Sequence, residues 1–262
     1  MRFFILFLCV SLFFAPVATA QQGAMPAIGK ADIVRMLGRI FTDDGIREDL
    51  VRLGFKGENL ELATRQMRGL MTDPEVAGYI ADQIIAFSAD GTLPGNTRAG
   101  GALWGVIDRG VGHLPLRDLR YYYLVEQTVL GAMPIRECGL AIKERLSPAQ
   151  LSDATARVAA RLNTPALRQY YRIQRRAARL GATRAPVRMD PARIERTETM
   201  IFNALLARLD GAENRAVMIR TFARLDQAGN RRACAAGRLF IDTVMSLEGR
   251  ALHDALLLLS LP

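Results

Sequence analysis

The sequence predicts an all-α protein, a bundle or array of about a dozen short helices preceded by a cleavable signal helix. A capping residue followed by proline occurs four times, at Asp73-Pro74, Ser147-Pro148, Thr164-Pro165 and Asp190-Pro191. In each pair the side-chain oxygen can accept from an orphan backbone N–H, and proline supplies the helical φ without a donor to leave unpaired. Apolar residues then recur three or four apart, as in Leu151, Ala154, Val158 and Leu162. Alternating β-branched runs bounded by turn pairs, the signature of strands, are missing.

The first element is the leader. Met1 and Arg2 open on a positive charge, residues 3–17 are apolar, and Ala18-Thr19-Ala20 offers the small side chains that signal peptidase needs before its cut. Cleavage before Gln21 is expected, with a periplasmic or secreted product. The apolar run is shorter than the roughly 20 residues of a membrane span. Cys9 follows the bulky pair Phe7 and Leu8, which argues against lipidation there.

Helices are expected over 29–41, 43–54, 58–72 and 74–89, forming a small N-terminal unit within 21–90. Residues 91–101 carry glycine and proline and read as a linker. A larger basic domain, 102–262, then holds helices over 101–112, 115–133, 135–146, 148–162, 165–180, 191–209, 212–227, 230–246 and 248–260. The last of these is apolar nearly all round, which predicts burial. Trp104 reads as a core anchor. No apolar run in the expected mature chain is long enough to cross a bilayer.

Two thiols survive cleavage, Cys138 and Cys234. In an oxidising compartment an otherwise unexplained pair reads as a disulfide. The 96 positions between them correspond to about 4–5 kcal/mol of loop-closure stabilisation.

Charge is divided unevenly. Residues 21–90 hold 8 Lys and Arg against 11 Asp and Glu, while residues 91–262 hold 26 against 15. The two parts therefore differ in sign, and sequence leaves open whether they dock on one another or face different partners. The excess is concentrated between Arg168 and Arg196, with nine arginines and two acids. On the helix that opens at Thr164-Pro165, Arg168, Arg172, Arg175, Arg176 and Arg179 share one side at helical spacing. Such a stripe can bind phosphates or carboxylates through its guanidinium forks. It can also be an ordinary solvated face, because arginine outnumbers lysine 32 to 3, the bias of a G+C-rich coding sequence.

Signatures of common chemistry are missing. The two histidines, His113 and His253, stand 140 positions apart without metal-binding spacing, so no metal site is expected. No serine-hydrolase motif and no phosphate-binding glycine loop occurs, and no cofactor is expected. Glu126, in Tyr121-Tyr122-Tyr123-Leu124-Val125-Glu126, is the one catalytic candidate: an acid among aromatics could stay protonated and serve a glycosidase. The sequence is thus read as an exported, non-enzymatic envelope protein. Its arginine-rich helix would meet an anionic envelope component or an acidic protein, with no nucleic acid expected. The alternative is a peptidoglycan-cleaving enzyme that uses Glu126.

Overall fold

In the computed structural model the described residues are 29–40, 43–90, 99–209 and 211–261. They form thirteen helices and no strand, so the chain is all-α there. The expected leader, 1–20, and most of the expected linker, 91–98, lie outside the described residues. Before residue 91 come α1 (Lys30–Ile40), α2 (Asp43–Arg52), α3 (Gly57–Met71) and α4 (Pro74–Asp90). After it come α5 (Ala99–Val111), α6 (Leu116–Ala132), α7 (Ile135–Ile142), α8 (Pro148–Ala159), α9 (Thr164–Thr183), α10 (Pro191–Ala207), α11 (Ala212–Ala223), α12 (Asn230–Met245) and α13 (Gly249–Leu259). None of the described helices is long and apolar enough to cross a membrane.

The caps explain most helix starts. Ser147 accepts from the Gln150 backbone N–H while the Gln150 side chain accepts from the Ser147 N–H, a reciprocal box. Asp190 accepts from the Arg193 N–H. Asp73 accepts from the Glu75 and Val76 N–H groups. At α9 the cap is Asn163, one residue before the expected Thr164, and it accepts from the Ala166 N–H. Thr164 is turned to another use. Its hydroxyl donates to Asn59 Oδ1 at 2.9 Å, and the Asn59 amide donates to the Leu162 carbonyl at 2.8 Å, tying the start of α3 to the start of α9.

Two helix pairs approach backbone to backbone, and glycine permits both. A Cβ on Gly110 of α5 would lie 1.8 Å from the Ala177 carbonyl oxygen, and one on Gly181 of α9 would lie 1.9 Å from that of Val106. For this reason α9 runs through Gly181 to Thr183 rather than stopping at 180: the glycine sits in the crossing, not at a helix end. The second pair is α7 with α12. A Cβ on Gly139 would meet the Asn230 carbonyl oxygen at 2.2 Å, and one on Gly237 would meet the Ile142 side chain at 2.3 Å. At this crossing the Cys138 and Cys234 sulfurs stand at disulfide distance, 2.01 Å, with their Cα atoms 5.2 Å apart.

Other ends also differ from expectation. α7 stops at Ile142 instead of 146, and Glu144 beyond it adopts a left-handed φ of 57°. α5 begins at Ala99, inside the expected linker. Glycine is penalised mainly in helix interiors, and Gly100 and Gly101 fall in a first turn.

Burial follows the helical periods. One connected apolar core runs from Ile33 and Leu37 of α1 through Trp104, Tyr122 and Ile173 to Leu256 of α13. Trp104 is buried, and five residues of α13, among them Leu252, Leu256 and Leu259, are buried with it.

Candidate anion-binding surface

Helix α9 lies between α3 and α4 on one flank and α6 on the other, and its inner face is apolar: Leu167, Tyr170, Tyr171, Ile173, Ala177 and Ala178 are buried. Its arginines emerge along the edges of that face and meet acceptors on both flanks. Arg168 pairs with Glu58 at the start of α3. Arg175 Nε donates to Gln66 Oε1 of α3 at 2.7 Å. Arg179 Nε donates to Asp73 Oδ2 at 2.6 Å, the same carboxylate that caps α4. On the other flank Arg176 Nη1 donates to Asp118 Oδ2 of α6 at 3.0 Å.

The structure thus brings four of the five stripe arginines to acceptors within the chain. Three of those acceptors, Glu58, Gln66 and Asp73, come from the acid-rich stretch before residue 91. Asp73 and Asp118 are only 7% exposed, so removing their arginines would leave shielded carboxylates with weaker compensation, from the α4 backbone N–H groups and from Arg117 respectively. Arg168 and Glu58 are both more than half exposed, and that pair contributes little. Arg172 is exposed and, among the described residues, makes no ion pair.

Glu126 is 5% exposed, beneath the three tyrosines of α6 and α9. The Tyr170 hydroxyl donates to its Oε1 at 2.5 Å. Tyr122 packs edge-on to Tyr123 and beside Tyr170, each pair with ring centroids 5.5 Å apart. Burial pushes the hydroxyls of all three tyrosines well above their ordinary pKa. Asp108 of α5 belongs to the same neighbourhood. One of its oxygens is shielded from water without a hydrogen-bond partner, and burial pushes the carboxyl up to about 7. Glu126 lines none of the three hollows described below. His113, expected in a turn, bonds through Nε2 to the Ala185 carbonyl at 2.9 Å. Among the described residues no group of three or more His, Cys, Asp or Glu is placed to hold a metal.

The outer face of α6 is arranged differently. Arg117, Arg120, Tyr121 and Leu124 recur at spacings of three, four and seven, so they share one side. The two acids of the helix, Asp118 and Glu126, point the other way and are buried. Across from this face lie Arg208, which caps the end of α10, and Asp242, Met245 and Ser246 at the end of α12. Together they enclose an open hollow of about 630 Å³. The one carboxylate in the hollow, Asp242, accepts from Gln127 Nε2 at 2.6 Å through Oδ1. Among the described residues Arg208 reaches only the Asp242 backbone carbonyl, at 3.4 Å. Arg117 stands 3.6 Å from Asp118, and Arg120 has no ion pair among the described residues. Leu124, also in the lining, is 46% exposed.

Sequence reasoning did not single out Arg117, Arg120 or Arg208. By count α6 is neutral, with two arginines and two acids, and only the helical period separates the acids from the arginines.

A second hollow, of about 450 Å³, lies between α10, α11, α12 and α13 and is apolar, with Phe202, Phe222 and Phe240 in its lining. A third, of about 20 Å³, is enclosed beside Gln66 and Trp104 and has room for roughly one water molecule. Comparison with family models, curated proteins and solved structures finds no match to the chain.

Proposed function

We propose that the protein is exported and binds anionic groups of the cell envelope without catalysing a reaction. The observation that carries this reading is the hollow beneath α6, where three guanidinium groups face one carboxylate that is already hydrogen bonded. In a protein of net charge +9, that is a local excess of charge: among the described residues Arg117 pairs only with Asp118, at 3.6 Å, and Arg120 and Arg208 have no ion pair. The leader-like residues 1–20 and the sulfur pair at disulfide distance support export, since such pairs persist in oxidising compartments. Glu126, closed over by Tyr170, speaks for binding rather than glycoside cleavage.

Guanidinium–anion attraction at a surface is screened by salt. The protein should therefore co-sediment with lipopolysaccharide, with phosphatidylglycerol-containing vesicles or with immobilised polyglutamate at low salt, and lose the interaction as salt rises. Salt-insensitive binding, or none to any of the three, contradicts the reading. N-terminal sequencing of the product made in a bacterial host should begin at Gln21.

A further inference from the structure

The α6 hollow combines two chemistries, and the combination restricts its ligand. Its lining includes Arg117, Arg120 and Arg208, each a planar fork of N–H donors, of which only Arg117 has an ion-pair partner among the described residues, Asp118 at 3.6 Å. Its lining also holds the half-exposed Leu124, the partly buried Met245 and the ring of Tyr121, whose hydroxyl donates to the Ala166 carbonyl at 3.3 Å. A carboxylate presents two oxygens and is answered by one fork. Three forks lining one hollow suit a tetrahedral anion with more acceptors, and the apolar lining residues suit a carbon skeleton attached to it. The hollow is open on its outer side and wide enough for a headgroup.

We infer that this hollow seats the phosphate headgroup of an anionic membrane lipid, with the glycerol and first methylenes lying on Leu124, Tyr121 and Met245. The inference rests on the anion-binding reading above and narrows it from any anion to a lipid phosphate. The stripe of α9 offers less free charge, because four of its five arginines, Arg168, Arg175, Arg176 and Arg179, already hold acceptors of their own chain.

The test uses the full chain, and two triple variants of equal charge. One replaces the lining arginines (Arg117→Gln, Arg120→Gln, Arg208→Gln). The other replaces three exposed arginines elsewhere (Arg65→Gln, Arg196→Gln, Arg231→Gln). Along α10 and α12, positions 196 and 231 lie about 16 Å or more from the hollow, twice the screening length of about 8 Å at physiological salt. Affinity is measured for phosphatidylcholine vesicles with and without phosphatidylglycerol, and for soluble glycerol phosphate and polyglutamate. Circular dichroism confirms that each variant is folded.

The expected result is binding to phosphatidylglycerol vesicles that weakens about a hundredfold in the lining variant, from three lost interfacial charges, and by only a few-fold in the control. Soluble glycerol phosphate, lacking the chains, should bind far more weakly than the vesicles and compete for the same arginines. Equal losses in the two variants overturn the inference, because charge rather than the hollow then decides. Glycerol phosphate binding as tightly as the vesicles overturns it in favour of a soluble ligand, and polyglutamate binding without vesicle binding overturns it in favour of an acidic protein. Those outcomes leave the anion-binding reading standing, whereas no salt-sensitive binding to any probe removes both.

Discussion

Helix α9 carries five arginines and no acid, whereas α6 carries two of each, yet α6 presents the less neutralised surface. On α9 the guanidinium groups flank an apolar face, which brings them against α3, the turn before α4, and α6, where Glu58, Gln66, Asp73 and Asp118 accept from them. On α6 the acids occupy the buried side and the arginines the open one. The lesson is that the charge a helix offers is set by which side of it is buried, not by its composition. In this chain the most basic helix serves as a fastening between the acidic first helices and the rest.

Breaking the crossing that holds α9 in place should have the largest effect. Gly181→Ala or Gly110→Ala drives a methyl into a backbone carbonyl that cannot swing aside, and destabilisation of about 3 kcal/mol or more is expected in thermal or urea unfolding. Tyr170→Phe removes the hydroxyl that donates to a buried carboxylate, and about 1–3 kcal/mol should be lost. Asp73→Ala removes the cap of α4 and the acceptor of Arg179 together, with an expected loss of about 1–2 kcal/mol.

The core behind this fastening should also respond to pH through Asp108. Its folded carboxyl sits at about 7, above the ordinary 3.8, so the folded state holds a proton that the unfolded state releases between those values. Stability from this group is fully present below about pH 4 and is lost as pH rises through 7. Asp108→Asn should therefore gain on the wild type steadily from pH 4 to 7 and hold a constant difference above that, which unfolding at a series of pH values reads directly. Arg168→Ala, breaking an exposed pair, should cost less than about 1 kcal/mol. Arg120→Gln should leave stability unchanged within about 0.5 kcal/mol while weakening anion binding.

Much of the architecture was legible in the sequence. Among the described residues thirteen helices stand where thirteen were expected, because capping residues before proline and apolar spacing are local signals that the fold does not override. Cys138 and Cys234 were paired by elimination, and their sulfurs meet at the close α7–α12 crossing. The exits were less legible: Gly181 reads as a stop in sequence, but its role depends on Val106, more than seventy positions earlier. The arginine stripe was visible as a pattern, while its acceptors Glu58, Gln66 and Asp73 come from over a hundred residues away and no local rule connects them. The α6 hollow was hidden for a further reason. It needs the ends of α10 and α12 beside the middle of the chain, and a helix whose net charge is zero.

The division of labour between the two helices can be tested most directly with charge-matched variants compared in one vesicle-binding titration. One carries Arg168→Gln, Arg176→Gln and Arg179→Gln, and the other Arg117→Gln, Arg120→Gln and Arg208→Gln. The α9 variant should unfold at a lower temperature and keep most of its affinity for phosphatidylglycerol vesicles. The α6 variant should unfold as the wild type does and lose that affinity. An α9 variant that melts normally but no longer binds, beside an α6 variant that binds as before, would contradict the account.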